Sequence, residues 1–309
     1  MVRTPPLAGD RARPARLSST DLLMLTATAI WGVNFTVIKV ALAGFSPMAF
    51  NGLRFGLATV VIMAILWWQA RHTPGSDLLD VPRRDWGPVI LLGLFGHTFY
   101  QVIFINGLSR TTPANSSLLM ATSPIWVGII GYALRIERIN RLMWLGIALS
   151  FAGIGVLMMG GENKVSLGST TLIGDLLILA CAFAWAIYTT ASKPLLARYS
   201  PLKLTAWSML AGAVPLTLIS IPSMIRQDWS AISPAAWAGL AFSTLMALVA
   251  GYLIWYTSVQ RVGNARTAVY SNLTPVIAIV FAWLTIGSRL APLLEAAGLG
   301  TFDALFGFE

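Results

Sequence analysis

Apolar runs about as long as a bilayer is thick recur along the chain, separated by short polar or basic stretches. Runs of that length with few charges predict membrane-crossing helices rather than strands or soluble core helices. We place them at 22–42, 46–68, 87–108, 112–134, 141–160, 172–196, 201–221, 235–258 and 265–287. A tenth segment, Leu290–Phe308, has a span's length but carries Glu295 and Asp303. The pattern then repeats. A shift of 154 residues lays Asp21-Leu22-Leu23 on Asp175-Leu176-Leu177, Trp31 on Trp185, Thr36 on Thr190, Lys39 on Lys193 and Ser46-Pro47 on Ser200-Pro201. A shift of 151 lays Trp86 on Trp237, Arg110 on Arg261, Ala114 on Ala265 and Pro124 on Pro275. Duplicated hydrophobic halves are a common plan of secondary transporters, with the substrate between the halves.

Composition agrees with the pattern. Hydrophobic residues make up 56% of the 309, charged residues only 11%, and mean hydropathy is +0.73, too little polar surface for a soluble fold. The net charge of +9 is dispersed between the apolar runs rather than gathered on one face, which argues for topology and against nucleic acid. With the N-terminus inside, Arg3, Arg11, Arg13, Arg16, Arg71, Arg83, Arg84, Arg135, Arg138, Arg141, Lys193, Arg198, Lys203, Arg261 and Arg266 fall on the inner side. Only Arg110, Lys164, Arg226 and Arg289 fall outside, so the positive-inside rule predicts a cytoplasmic N-terminus. Five spans is an odd number, so the second repeat enters from the opposite face. The expected architecture is an all-α integral membrane bundle of nine helices and a less regular tenth, in two inverted five-helix repeats. Residues 1–19 read as a loose, basic cytoplasmic tail without a signal peptide, 20–160 as the first repeat and 170–309 as the second.

Candidate chemistry is sparse. Cys181 is the only cysteine and His72 and His97 the only histidines, so no disulfide framework or Cys/His metal site is expected. No GxxxxGK[ST] loop appears, and no nucleotide or other cofactor is expected. No acidic residue lies deep in the first nine spans, which leaves a carboxylate proton or sodium relay without a carrier. Asp21 and Asp175 open equivalent helices and read as N-terminal caps. Pro124 and Pro275 sit near the middle of the fourth and ninth spans, where each frees a backbone carbonyl at membrane depth and predicts a kink. Lys39 and Arg54 are basic residues within spans. Lys39 can snorkel to the headgroups; Arg54 either pairs with backbone carbonyls or faces a cavity and meets a substrate carboxylate or phosphate. His97 lies at the centre of the third span and could shuttle a proton.

Trp31-Gly32-Val33-Asn34-Phe35 with Lys39, then Pro47 and Leu53-Arg54-Phe55, resembles the first two helices of EamA-type proteins of the drug/metabolite transporter superfamily. Ala114 through Pro124 to Glu137-Arg138 is similar to that family's fourth helix and closing turn, and Gly146 and Gly153 to its fifth. The resemblance implies ten helices, a central cavity lined by helices one, three, four, six, eight and nine, and export of amino acids or related metabolites across the bacterial inner membrane. The cavity would draw substrate contacts from Trp31, Asn34, Lys39, Arg54, His97, Tyr100, Gln101, Asn115, Trp185, Tyr188, Tyr252, Trp255, Tyr256, Tyr270 and Asn272. Ser288-Arg289-Leu290 replaces the family's Glu-Arg-Leu, and the tail beyond it predicts weaker packing of the second repeat. The expected partners are a small metabolite and the lipid bilayer, with homo-oligomerisation left open. A sugar or nucleotide-sugar permease is the alternative transport reading. A membrane enzyme would need a catalytic constellation, and His72 with Asp77 and Asp80 reads better as a solvated loop.

Overall fold

A computed structural model describes residues 18–73, 75, 77–135, 144–146, 148–149, 152 and 170–286. Much of the fifth predicted span, and the tenth, lie outside the described residues. Within them the chain forms helices and no strand. We label them α1 (Ser19–Ala41), α2 (Pro47–His72), α3 (Arg83–Arg110), α4 (Pro113–Ala133), α5 (Thr170–Leu196), α6 (Pro201–Ile225), α7 (Pro234–Val262) and α8 (264–286). The first seven are long and apolar enough to cross a membrane. The protein is an all-α integral membrane protein, and α5 to α8 answer to the sixth to ninth predicted spans.

The helix starts follow a local rule. α2, α4, α6 and α7 each open on Ser or Thr followed by Pro: Ser46-Pro47, Thr112-Pro113, Ser200-Pro201 and Ser233-Pro234. Proline presets the first helical φ where no N–H partner exists, and the hydroxyl of Thr112, Ser200 or Ser233 accepts from the backbone N–H three residues on. α1 begins with a reciprocal capping box of Ser18 and Asp21. Gly263, at φ +85°, lets the chain turn from α7 into α8.

Two kinds of irregularity interrupt the helices, and both occur twice. α3 passes through a π-helical turn at Leu94–Phe99 and α7 through one at Ser243–Ala250, matching positions of the two halves. α4 breaks after Pro113–Met120 and resumes at Ser123–Ala133; α8 runs as Asn264–Val269, a 3₁₀ turn Tyr270–Leu273, and Thr274–Ile286. Pro124 and Pro275 are each the second residue of the resumed helix. The expected kinks are therefore breaks, placed where the missing N–H would have bonded to the preceding turn.

The packing exchanges the two halves. α2 lies along α6, α1 packs on α7 and α8, and α5 packs on α3 and α4. The polar ties give the direction of each helix. At one end Asp21 of α1 meets Tyr270 and Arg266 of α8, Asp85 of α3 meets Arg198 and Tyr199 beyond α5, and Lys203 of α6 meets Asp77. At the other, Lys39 of α1 meets carbonyls at the end of α3, Thr111 donates to Asp175 near the start of α5, and the Ser46 N–H donates to Gln227 beyond α6. α1 thus runs from the Asp21 end to the Lys39 end and α5 runs back, so the equivalent helices are antiparallel.

Asp175 corrects an expectation. It lies several residues inside α5 rather than at its N-cap; its carboxylate takes the Thr111 hydroxyl at 2.5 Å and ties α5 to the α3–α4 link. Asp21 does cap, and also joins α1 to α8.

Candidate functional site

Between the halves, from mid-depth toward the Lys39 end, lies a partly open cavity. Its aromatic wall comes from Trp31 and Phe35 of α1, Tyr100 and Phe104 of α3, Trp185 of α5 and Tyr252 of α7. Its polar side chains are Asn34, Arg54, Gln101, Ser123, Ser271 and Thr274, and Met120, Ala121, Ala247 and Leu248 complete it. Both broken helices contribute their break and α7 its π-helical turn. Irregular backbone at membrane depth is found here around a cavity, where freed polar groups can be satisfied.

Arg54 is the charge in this wall, and it is 1% exposed. Its Nη1 donates to Ser243 Oγ at 2.9 Å, and its Nη2 donates to Asn51 Oδ1 at 2.8 Å and Gln101 Oε1 at 3.0 Å. The Asn51 amide in turn donates to the Gln101 carbonyl at 3.0 Å, and the guanidinium packs near the rings of Phe50 and Phe55. Each of these partners is a neutral side chain; among the described residues no carboxylate pairs with Arg54, and its Nε has no hydrogen-bond partner. An arginine at mid-bilayer costs about 2.5–3.5 kcal/mol on insertion scales. Neutral dipoles orient this cation without discharging it. The second unpartnered polar group in the wall is Asn34, whose buried Oδ1 accepts no hydrogen bond.

The rings are packed against one another. Trp31 meets Trp185 with centroids 5.7 Å apart and planes at 87°, and its indole N–H donates to the Ala247 carbonyl at 3.0 Å. Gly251 makes room for that indole, since a Cβ there would come within 2.6 Å of Trp31 Nε1. Trp255 lies behind, against both Trp31 and Trp185, and Tyr188 stacks between Trp185 and Tyr256. These rings fix the orientation of the wall without lining it.

Of the residues singled out in the sequence, Trp31, Asn34, Arg54, Tyr100, Gln101, Trp185 and Tyr252 meet at the cavity. His97, fully buried in the π-helical turn of α3, sits outside the lining, with Nε2 at 3.0 Å from Tyr188 Oη and 3.4 Å from Ser208 Oγ. Lys39 donates to the carbonyls of Leu108, Ser109 and Thr111 at 3.3, 3.3 and 2.8 Å, closing the end of α3. Tyr270 donates to Asp21 at the far end, Asn272 is exposed, and the Asn115 N–H bonds to the Thr112 cap. Asn51 and Ser243, which position Arg54, were not picked out. Asn51 had a signal, standing three residues before Arg54 on the same helix face. Ser243 had none.

The Asp21 end is the more firmly tied. All three ion pairs among the described residues lie there: Asp85–Arg198 at 2.7 Å, Asp21–Arg266 at 3.3 Å and Asp77–Lys203 at 3.4 Å. Tyr199, in the link between α5 and α6, donates to Asp85. Burial, and next the Asp85 carboxylate, push its hydroxyl up to about 12, so it remains a donor through the neutral range.

Comparisons with known proteins agree with this architecture. A solved crystal structure superimposes with a TM-score of 0.68 at 20% identity, over 92% of this chain and 94% of that one, so it shares the fold. A Bacillus subtilis protein described as an uncharacterized transporter is 28% identical over 85% of this chain and 84% of its own length. A Salmonella typhimurium protein described as a probable amino-acid metabolite efflux pump is 29% identical over 93% of this chain and 95% of its own. A Streptantibioticus cattleyicolor protein described as a probable terminal-alkyne amino-acid exporter is 26% identical, over 92% and 91%. The model of the EamA-like transporter family matches twice, over residues 18–159 and 172–302, which together span most of the chain. This chain belongs to the EamA-like transporter family.

Proposed function

We propose that the protein exports amino acids or closely related small metabolites across the bacterial inner membrane, with its N-terminus in the cytoplasm. Its two repeats, residues 20–160 and 170–309, would rock about the central cavity so that it faces one side at a time. The observation that carries this reading is Arg54, a buried cation in the cavity wall oriented by Ser243, Asn51 and Gln101 and partnered by no carboxylate. Such a group favours a ligand that brings its own anion, and bidentate pairing with a carboxylate suits the planar guanidinium. The aromatic wall accounts for a partly apolar remainder. Relatives described as an amino-acid metabolite efflux pump and an amino-acid exporter point the same way.

Proteoliposomes loaded with mixed amino acids test it. The wild-type protein is expected to release at least one of them, and Arg54→Gln to lower that rate by about tenfold or more, the effect of losing a charge-assisted hydrogen bond. Arg54→Lys retains charge but not the fork and is expected to fall between. Release unaffected by Arg54→Gln would remove the anion-binding role.

A further inference from the structure

We propose that Asn34 seats the positive end of a zwitterionic substrate, its amide oxygen accepting from the substrate ammonium while Trp31, Trp185 and Tyr252 face the rest of that charge. This deepens the amino-acid reading above and rests on it.

The amide is the wall's unexplained acceptor. Asn34 is 8% exposed, lines the cavity, and its Oδ1 has no hydrogen-bond partner. Buried polar side chains are nearly always satisfied, so an unpartnered buried acceptor on a cavity-lining residue is a candidate for a donor that arrives with the ligand, met once the amide turns its oxygen to the cavity. The asparagine stands on α1 between Trp31 and Phe35, two other wall residues, which puts the amide in the aromatic part of the cavity.

The rings supply the remainder of an ammonium site. Trp31, Trp185 and Tyr252 all line the cavity, with pairwise centroid separations of 5.7, 5.7 and 6.3 Å and planes at 87°, 84° and 77°. Three rings meeting near right angles make a corner, in which a small cation can rest against more than one π system. A corner of this kind holds cations without a formal negative charge.

Charge balance then sets the selectivity. The cavity wall already carries the Arg54 charge, and its described lining holds no carboxylate. A zwitterion leaves the net charge unchanged, with its carboxylate on Arg54 and its ammonium at Asn34. A plain amine would add a second buried positive charge, which a low-dielectric site disfavours. An aspartate at position 34 would abolish this distinction by offsetting Arg54 in advance.

The experiment compares L-leucine, 4-methylpentanoate (which lacks the amino group) and 3-methylbutylamine (which lacks the carboxylate), binding to the purified full chain in nanodiscs by calorimetry. Wild type is expected to prefer leucine to 4-methylpentanoate by about tenfold or more and to ignore the amine. Asn34→Leu should bring leucine down to the affinity of 4-methylpentanoate, whose own binding changes by less than about twofold. Asn34→Asp should begin to bind the amine. Equal losses of both acids in Asn34→Leu, or wild-type binding of 4-methylpentanoate as tight as that of leucine, would overturn the assignment while leaving an acid-binding cavity. The second comparison needs no variant to fold. Failure of wild type to bind either acid would overturn the amino-acid reading itself, and the assignment with it.

Discussion

At the scale of single residues, the helix crossings depend on atoms that are missing. α3 and α6 approach until the Gly212 backbone touches that of Gly93: a Cβ on Gly212 would lie 2.2 Å from the Gly93 carbonyl oxygen, and one on Gly93 2.2 Å from that of Ser208. Neither neighbour is a side chain that can swing aside. Gly212→Ala must therefore separate the two helices, and we expect it to lower stability by about 1–3 kcal/mol, read as a lower melting temperature in detergent. Gly96→Ala meets the Tyr188 ring at 2.1 Å and is expected to weaken the protein comparably, displacing the hydroxyl that reaches His97. The importance of Arg54 was legible because a charge inside an apolar run is conspicuous. Its partners were less so, since a serine on a distant helix looks like ordinary packing material until the fold brings it near. Lys39 shows the same limit: its position near a helix end suited a lipid-facing cation, yet it terminates α3 through three carbonyls.

At the scale of elements, the length of the apolar runs announced the helices, so eight of the predicted spans reappear within a few residues. The fourth and ninth spans were also legible as kinked, though not as broken, because proline has a fixed consequence for the carbonyl behind it. The π-helical turns of α3 and α7 were not. A π turn needs only that one extra residue fit locally, and it leaves no residue signature as proline does. The proline breaks matter to the cavity, since Ser271 and Thr274 reach its wall from the 3₁₀ turn and the residue after it. Pro275→Ala restores an N–H and lets α8 approach a continuous helix. We expect thermal stability to be kept, because Pro275 stands in the first turn of its resumed helix, where proline costs little and alanine is accepted equally, while transport falls as the wall is displaced. Measuring melting temperature and efflux on one preparation separates this result from simple misfolding, which would lower both.

At the scale of the whole molecule, duplication with an odd number of spans foretold antiparallel halves, and the ties at the two ends show the same for α1 and α5. What the sequence could not disclose is that the two ends are fastened differently. The Asp21 end is joined by three ion pairs and by the hydroxyls of Tyr199 and Tyr270, whereas the Lys39 end relies on a lysine to carbonyls, on Thr111 to Asp175, and on Gln227 bridging the Ser46 N–H and the Gly44 carbonyl. An exchange between two arrangements is biased by whatever contacts only one of them makes. If the Asp21-end ties exist only while that end is closed, cutting them shifts the population toward the opposite arrangement. Because the Tyr199 hydroxyl titrates near 12 against about 10 for a free tyrosine, its tie is intact below about pH 10 and is lost as pH rises toward 12. Mutation is therefore the practical lever at neutral pH. With the buried Cys181 replaced by alanine and a cysteine placed at Ser271 in the wall, Tyr199→Phe combined with Asp85→Asn is expected to raise labelling by a membrane-impermeant thiol reagent applied from the Asp21 side. Labelling from the Lys39 side should fall in step, because one cavity cannot favour both faces. Increases on both sides would instead mean that the double variant has merely loosened the bundle.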